Sequence, residues 1–248
     1  MSENILEVKN TFKYFGGVKA NHDISMSVEK GKIFGLIGPN GSGKTTLFNS
    51  IVGYHPIDQG SILFDGKELS KLLVADIAKL GLLRTFQQTR IYGKINCIEN
   101  MLLSAKNKDG GNFGVFDKIP PYLTEKAEYL LEFVGLFQKR KLRAGDLSFG
   151  QQKLLELAMA LMNEPKMLML DEPTAGINPT LINGIIDRLI KINSEYKITL
   201  LVIEHNMKVV MSLAEKIYCL ANGQTLAYGS PEEIRGDQRV INAYLGVQ

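Results

Sequence analysis

Gly38-Pro39-Asn40-Gly41-Ser42-Gly43-Lys44-Thr45-Thr46 fits the pattern G-x-x-x-x-G-K-[ST] at every position. The glycines let the backbone curl so that successive amides point inward at phosphate oxygens. Lys44 supplies a mobile cation for the terminal phosphates, and Thr45 a hydroxyl for Mg2+. The apolar run Ile33–Ile37 before the loop reads as a short buried strand. Leu47, Phe48, Ile51 and Val52 after it are spaced as one face of a helix. A helix starting near Gly43 brings its positive N-terminal end to the same point. Strand, glycine loop and helix in this order predict a nucleotide site in an α/β domain.

A second motif belongs with the first. Lys166-Met167-Leu168-Met169-Leu170-Asp171-Glu172 is an apolar strand that ends in two carboxylates. Ligands of open parallel sheets gather outside the carboxyl ends of the strands. Asp171 is therefore placed to hold Mg2+, directly or through water, opposite Thr45. Glu172, one residue on, points elsewhere and is placed to polarise an attacking water. A third segment, Leu147-Ser148-Phe149-Gly150-Gln151-Gln152, precedes a helix with apolar residues at Leu154, Leu155, Leu157, Ala158, Leu161 and Met162. Ser148 sits at its N-cap position. Two readings of it stay open: a capped core helix and nothing more, or a second anion site.

Around these motifs the texture changes twice. In the first third, Ile24, Met26 and Val28 alternate before a Lys30-Gly31 turn, and 61–64 is a strand closed by Asp65-Gly66. From about Gln88 to Met162 the chain reads as helical. Residues 98–105 and 124–137 are the helices, the latter with a capping-like Thr124, and a looser glycine-containing stretch at 106–122 lies between them. The last third alternates strands at 167–170 and 198–203 with helices at 181–192 and 207–214. It then forms a hairpin of 217–221 and 224–228 around Asn222-Gly223. Strands alternating with helices imply a parallel sheet covered on both faces.

Composition excludes several classes. The 248 residues suit one large domain or a domain with an inserted lobe, and 45% hydrophobic with 22% charged residues is globular. A net charge of +3 is too mild for a nucleic-acid binder with a concentrated basic face. Cys97 and Cys219 can build neither a disulfide framework nor a zinc site, which fits a reduced cytosolic protein. The opening MSENILEVKN lacks a signal peptide's apolar core and cleavage site, and runs such as 198–203 fall far short of a membrane span.

The whole set, in this order, resembles the ATP-binding subunits of ABC transporters, nearly end to end. The strings GPNGSGKTT, RTFQQ, LSFGQQ, LMLDEPTAGINP and VIEHNM carry the resemblance. A phosphate loop alone is shared by many NTPases. The same loop with a serine-glycine signature 104 residues after Lys44, just ahead of the acidic strand, is far more specific. The resemblance implies an α/β fold with a P-loop NTPase (RecA-like) core, an N-terminal antiparallel β-subdomain and an inserted helical subdomain. The core would take 1–87 and 163–248, and the helical lobe 88–162.

The resemblance also implies roles. Phe15, or alternatively Tyr14, would stack on adenine. The segment Gly38, Pro39, Asn40, Gly41, Ser42, Gly43, Lys44, Thr45 and Thr46 would hold the phosphates of ATP. Thr45, Asp171 and Gln87 would serve Mg2+, with Gln88 the alternative to Gln87. Glu172, Gln87 and His205 would be the catalytic set, with His205 reaching the γ-phosphate. Ser148, Gly150 and Gln151 would close over the nucleotide of a second ATPase subunit, identical or related. His22 and His55 are read as structural. Transmembrane permease subunits, touched through the helical lobe, would hold the chain at the inner face of the cell membrane, with a substrate-binding protein engaged indirectly and no nucleic acid.

Within the family, RTFQQ, the enlarged signature residue, IEHNMKVVM and INAYLG are most similar to ATPases of branched-chain amino-acid importers. Urea-type and lipopolysaccharide-type systems are the alternatives, and a non-transport ATPase of the same superfamily the more distant one. Two positions depart from the family pattern: Phe149 stands where most members have glycine, and Asn178 where aspartate is commoner. The first makes backbone approach to nucleotide less free. The second keeps a hydrogen-bonding side chain and loses its charge.

Overall fold

A computed structural model of the chain describes residues 4–85, 90–105 and 119–245. In chain order the first elements are β1 (Asn4–Phe15), β2 (Val18–Glu29), β3 (Ile33–Ile37), α1 (Lys44–Ile51), β4 (Gln59–Phe64), β5 (Lys67–Glu68), α2 (Val74–Lys79) and β6 (Leu82–Arg84). Three helices follow: α3 (Cys97–Ser104), α4 (Pro121–Phe133) and α5 (Phe149–Leu161). The last part holds β7 (Met167–Asp171), α6 (Pro179–Tyr196), β8 (Thr199–Ile203), α7 (Met207–Leu213), β9 (Lys216–Ala221), β10 (Gln224–Gly229), α8 (Pro231–Gly236) and α9 (Gln238–Leu245). Two compact units emerge. One comprises Met1–Arg84, Lys166–Glu172 and Ile190–Gln248, the other Thr85–Pro165 and Pro173–Leu189.

The first unit contains two sheets. Its six-stranded sheet runs β10-β9-β3-β8-β7-β6, parallel throughout except for the β9–β10 hairpin. β3, β7 and β8 are buried along their whole length, which is why each reads as an uninterrupted apolar run. The four-stranded sheet, β2-β1-β4-β5, is antiparallel, and Ile24, Met26 and Val28 alternate into its core as their spacing requires. Two of its turns carry the expected left-handed residues, Gly31 after β2 and Asp65-Gly66 between β4 and β5.

Strands β1, β5 and β6 escape the pattern reading. β1 is twelve residues long, yet its alternation breaks in the middle. Asn10 has φ +45 there, and one extra residue of β1 is inserted between the Val8–Met26 and Thr11–Ile24 pairs. This bulge swaps the faces of the strand, so no single period runs through it. The Asn10 amide side chain bonds Asp23 Oδ1 at 2.9 Å across the irregularity. β6 is only three residues long and becomes a strand by pairing with β7.

In the second unit α3, α4 and α5 pack on one another around Met101, Leu130, Leu131, Leu155 and Ala158. The structure shifts α4. Pro120 is its N-cap and Pro121 its first helical residue, so Thr124 lies inside the helix and caps nothing. It stops at Phe133 because Gly135 turns left-handed at φ +78, and Phe137 falls in a separate short 3-10 turn. Among the described residues no helix is long and apolar enough to cross a membrane.

Candidate functional site

The loop after β3 is built against its own sheet. Gly38 follows the strand at φ +147, and a Cβ there would lie 2.1 Å from the carbonyl oxygen of Leu220 on β9. Gly43 has φ +100, and its Cβ would come within 2.3 Å of the Ala20 carbonyl oxygen. Only glycine satisfies both positions. Gly41, at φ +78, meets nothing. Gly43 also stands at the N-cap of α1 and offers no side-chain cap, so the first-turn amides are left to a ligand or to water.

These contacts predict different costs for two alanine substitutions. Gly41→Ala should lose about 1 kcal/mol from the left-handed backbone alone. Gly43→Ala adds a backbone clash and should lose about 3 kcal/mol. Urea unfolding of the two variants measures the difference.

Lys44 is buried inside the loop it belongs to. Its Nζ donates to Gly38 O at 2.9 Å, to Pro39 O at 2.9 Å and to Ser42 Oγ at 3.2 Å. Burial lowers its pKa, and the carboxylates of Glu172 and Asp171 act in the opposite direction. The cation is thus held within the field of the acidic strand end.

Residues without a motif brace the loop from behind. Asn21 Nδ2 donates to Gly43 O at 3.0 Å, and the Gly223 amide donates to Ser42 O at 3.2 Å. The Asn222-Gly223 turn, whose positive φ values the dipeptide foretells, therefore supports the phosphate loop. Nothing in the sequence singles out Asn21. Its role follows from the neighbourhood of β2 and the loop in space.

The acidic end of β7 lies two strands from β3, with β8 between them. Asp171 pairs in register with Ile203, and the Glu172 amide donates to Ile203 O at 2.9 Å. Glu172 leaves the strand at φ +50, uncommon for a residue with a Cβ. His205, just beyond β8, places Nε2 2.9 Å from Glu172 Oε1. Sequence resemblance assigns His205 to a phosphate; in this structure its partner is the glutamate.

A group unmarked in the sequence reading holds the aspartate. Arg84, at the end of β6, sets Nη2 2.6 Å from Asp171 Oδ2, with each side chain only 6% exposed. Its Nη1 donates to Asn49 Oδ1 at 2.5 Å, and its guanidinium lies over the Phe48 ring at 5.5 Å from the centroid. Arg84 thereby ties the acidic strand end to α1, the helix into which the phosphate loop runs. RTFQQ contains this arginine, but its partner depends on β6 pairing with β7.

The two candidate aromatics differ in exposure. Tyr14 is half-buried, with its hydroxyl 3.0 Å from His22 Nδ1. Its amide donates to Asp58 Oδ2 at 2.6 Å, and this bond is the main reason the Asp58 carboxyl is held below its ordinary pKa. Phe15 is 44% exposed, edge-on to His55 at 5.3 Å between centroids. Of the two rings, that of Phe15 is the more exposed. His22 and His55 each lie against one of these two rings.

In the second unit Ser148 is the N-cap of α5 and forms a reciprocal capping box with Gln151. Ser148 Oγ accepts from the Gln151 amide, and Gln151 Oε1 from the Ser148 amide. Gly150 would put a Cβ 3.6 Å from Ile177, an ordinary contact. The two unusual positions meet local needs. The Phe149 ring lies on Gly176, where a Cβ would be 3.0 Å from the ring. Asn178 Oδ1 accepts from the Thr180 amide at 3.1 Å and its hydroxyl at 2.9 Å, at the start of α6. Gln87 and Gln88 lie outside the described residues.

Comparison with known proteins bears on the whole chain. A family model described as ABC transporter matches residues 21–175. The chain belongs to the ABC transporter family. A second family model, for branched-chain amino acid ATP-binding cassette transporters, matches residues 224–248. The chain is 40% identical over 254 residues to the high-affinity branched-chain amino acid transport ATP-binding protein BraF of Pseudomonas aeruginosa, covering 99% of each. It is 37% identical over 248 residues to the probable transport ATP-binding protein LivG of Archaeoglobus fulgidus, covering 98% of this chain and 96% of that one. Among solved structures, the ADP conformation of an ATP-binding cassette of an ABC transporter superposes with a TM-score of 0.88 at 35% identity. It covers 99% of this chain and 100% of that one. The α/β core, antiparallel sheet and helical unit are those of an ABC cassette.

Among the described residues no group of three or more His, Cys, Asp and Glu side chains converges to hold a metal alone. Mg2+ does not need one. It binds through one or two protein oxygens and completes its shell with water and the phosphates of a substrate. The exposed Thr45 hydroxyl and the Asp171 carboxylate are hard oxygen donors that fit this demand.

Proposed function

We propose that this chain binds and hydrolyses ATP as the energy-supplying subunit of an ABC importer for branched-chain amino acids. The observation that carries the ATPase reading is that Lys44, after β3, and Asp171 and Glu172, at the end of β7, gather at the same end of the parallel sheet, close enough for both carboxylates to act on the lysine's pKa. The likeness to branched-chain amino acid transport proteins along nearly the whole length supports the solute class. The match at 224–248 supports it independently of the nucleotide motifs.

In this reading Phe15 stacks on adenine, while residues 38–46 and the N-terminus of α1 receive the phosphates. Lys44 redirects its protons from the loop carbonyls to phosphate oxygens. Thr45 and Asp171 hold Mg2+, with Gln87 as a further contact; when bound, the ion neutralises phosphate charge. Glu172 takes a proton from the attacking water, and His205 keeps that carboxylate in place through Oε1. Ser148, Gly150 and Gln151 of a second ATPase subunit close the site from outside. Opening after hydrolysis passes to permease subunits at the inner face of the membrane, through the helical lobe 88–162.

Proteoliposomes holding this chain with its permeases, and a substrate-binding protein outside, test the solute. ATP inside should drive uptake of labelled leucine or isoleucine, and labelled urea should stay outside. Uptake of urea with no uptake of leucine would remove the amino-acid assignment and leave the ATPase reading intact.

A further inference from the structure

We infer that Tyr244, on the C-terminal helix, is a positioning residue for the phosphate loop, fixing its first glycine through the Gly38 amide. The inference rests on the nucleotide reading of residues 38–46. The Gly38 N–H donates to the Tyr244 hydroxyl oxygen at 2.9 Å, joining residues 206 positions apart. This glycine is buried, at a φ of +147 that an unsatisfied amide would leave poorly defined. On its other side the Gly38 carbonyl accepts from Lys44 Nζ. One residue thus connects the helix α9 to the cation meant for the phosphates.

The tyrosine suits this task. Burial pushes its phenol pKa up to about 12, so the hydroxyl keeps its proton and the contact does not titrate near neutrality. Its ring also lines an apolar cavity of about 540 Å3 with Met207, Met211, Ile234 and Ile241. Met207 opens α7, two residues beyond His205. The C-terminal helix therefore bonds the phosphate loop and shares this cavity with the helix that follows His205. A loop released at Gly38 would spend part of its time in conformations that cannot receive phosphate. Apparent affinity falls by the fraction of time lost.

Tyr244→Phe keeps the ring and removes only the acceptor. In the full chain it should weaken ADP binding about tenfold. The KM for ATP should rise by a similar factor, with kcat within about twofold. Val240→Ala, a buried residue on the same helix, is the control. It should lower the thermal midpoint and leave ADP affinity within about twofold. The proposal is overturned if Tyr244→Phe lowers thermal stability without changing ADP affinity, or if Val240→Ala weakens ADP as much. Lys44→Ala separates the two claims. If it abolishes ADP binding while Tyr244→Phe does nothing, only the tyrosine's role falls; if it leaves ADP binding intact, the nucleotide reading falls with it.

Discussion

Glu172→Gln should bind ATP as well as the native chain while its turnover falls roughly a hundred- to ten-thousand-fold, the usual contribution of a general base. Glutamine keeps the size of the side chain and an oxygen that can face His205, where Nε2 now lies 2.9 Å from the carboxylate. It cannot accept the proton of the attacking water. Lys44, the loop glycines and Asp171 are untouched, so the substrate should still enter. Trapped before hydrolysis, the variant should run as a dimer on size exclusion with Mg-ATP and as a monomer without it. Steady-state phosphate release and the elution volume read the two effects separately. Unchanged phosphate release would remove Glu172 from its assigned role, whatever the dimer does.

Arg84→Met should cost about 3–5 kcal/mol of folding stability, the range for breaking a buried ion pair from one side. Both side chains of the Arg84–Asp171 pair are almost fully buried, so methionine would strand the aspartate charge without solvent. For a chain of this size the loss corresponds to a thermal midpoint lowered by roughly 6–20 °C. The companion Asp171→Leu, combined with Arg84→Met, removes both charges. It should recover most of the stability, since a matched apolar pair often replaces a buried ion pair at little cost. The double variant should nonetheless hydrolyse no ATP, because its metal-holding carboxylate is gone. Thermal melts and activity would then move in opposite directions. Equal destabilisation of the single and double variants would show that the pair does not couple.

The site was legible where chemistry and spacing coincide in a short stretch. Residues 38–46 need left-handed glycines and a lysine at fixed offsets, and the structure uses them as the spacing demands. Ser148 was legible as a cap for the same reason, because capping is decided within four residues. The acidic strand end was visible as an apolar run closing on Asp171 and Glu172. The start of helix α4 is not legible, because Thr124 has a capping side chain while Pro121 fixes the first turn by its ring. No single period marks strand β1, because the bulge at Asn10 breaks it.

Local sequence thus determined the phosphate loop, the buried parallel strands, the helical texture of the middle and the two carboxylates. Each depends on backbone propensities or on periodicity inside one element. Tertiary structure alone decided which distant residues complete them. Arg84 reaches Asp171 because β6 pairs with β7; His205 meets Glu172 because β8 lies beside β7; Tyr244 reaches Gly38 because the C-terminal helix folds back on the loop. A buried charge or amide must find a partner in space, and strand order sets which one is near.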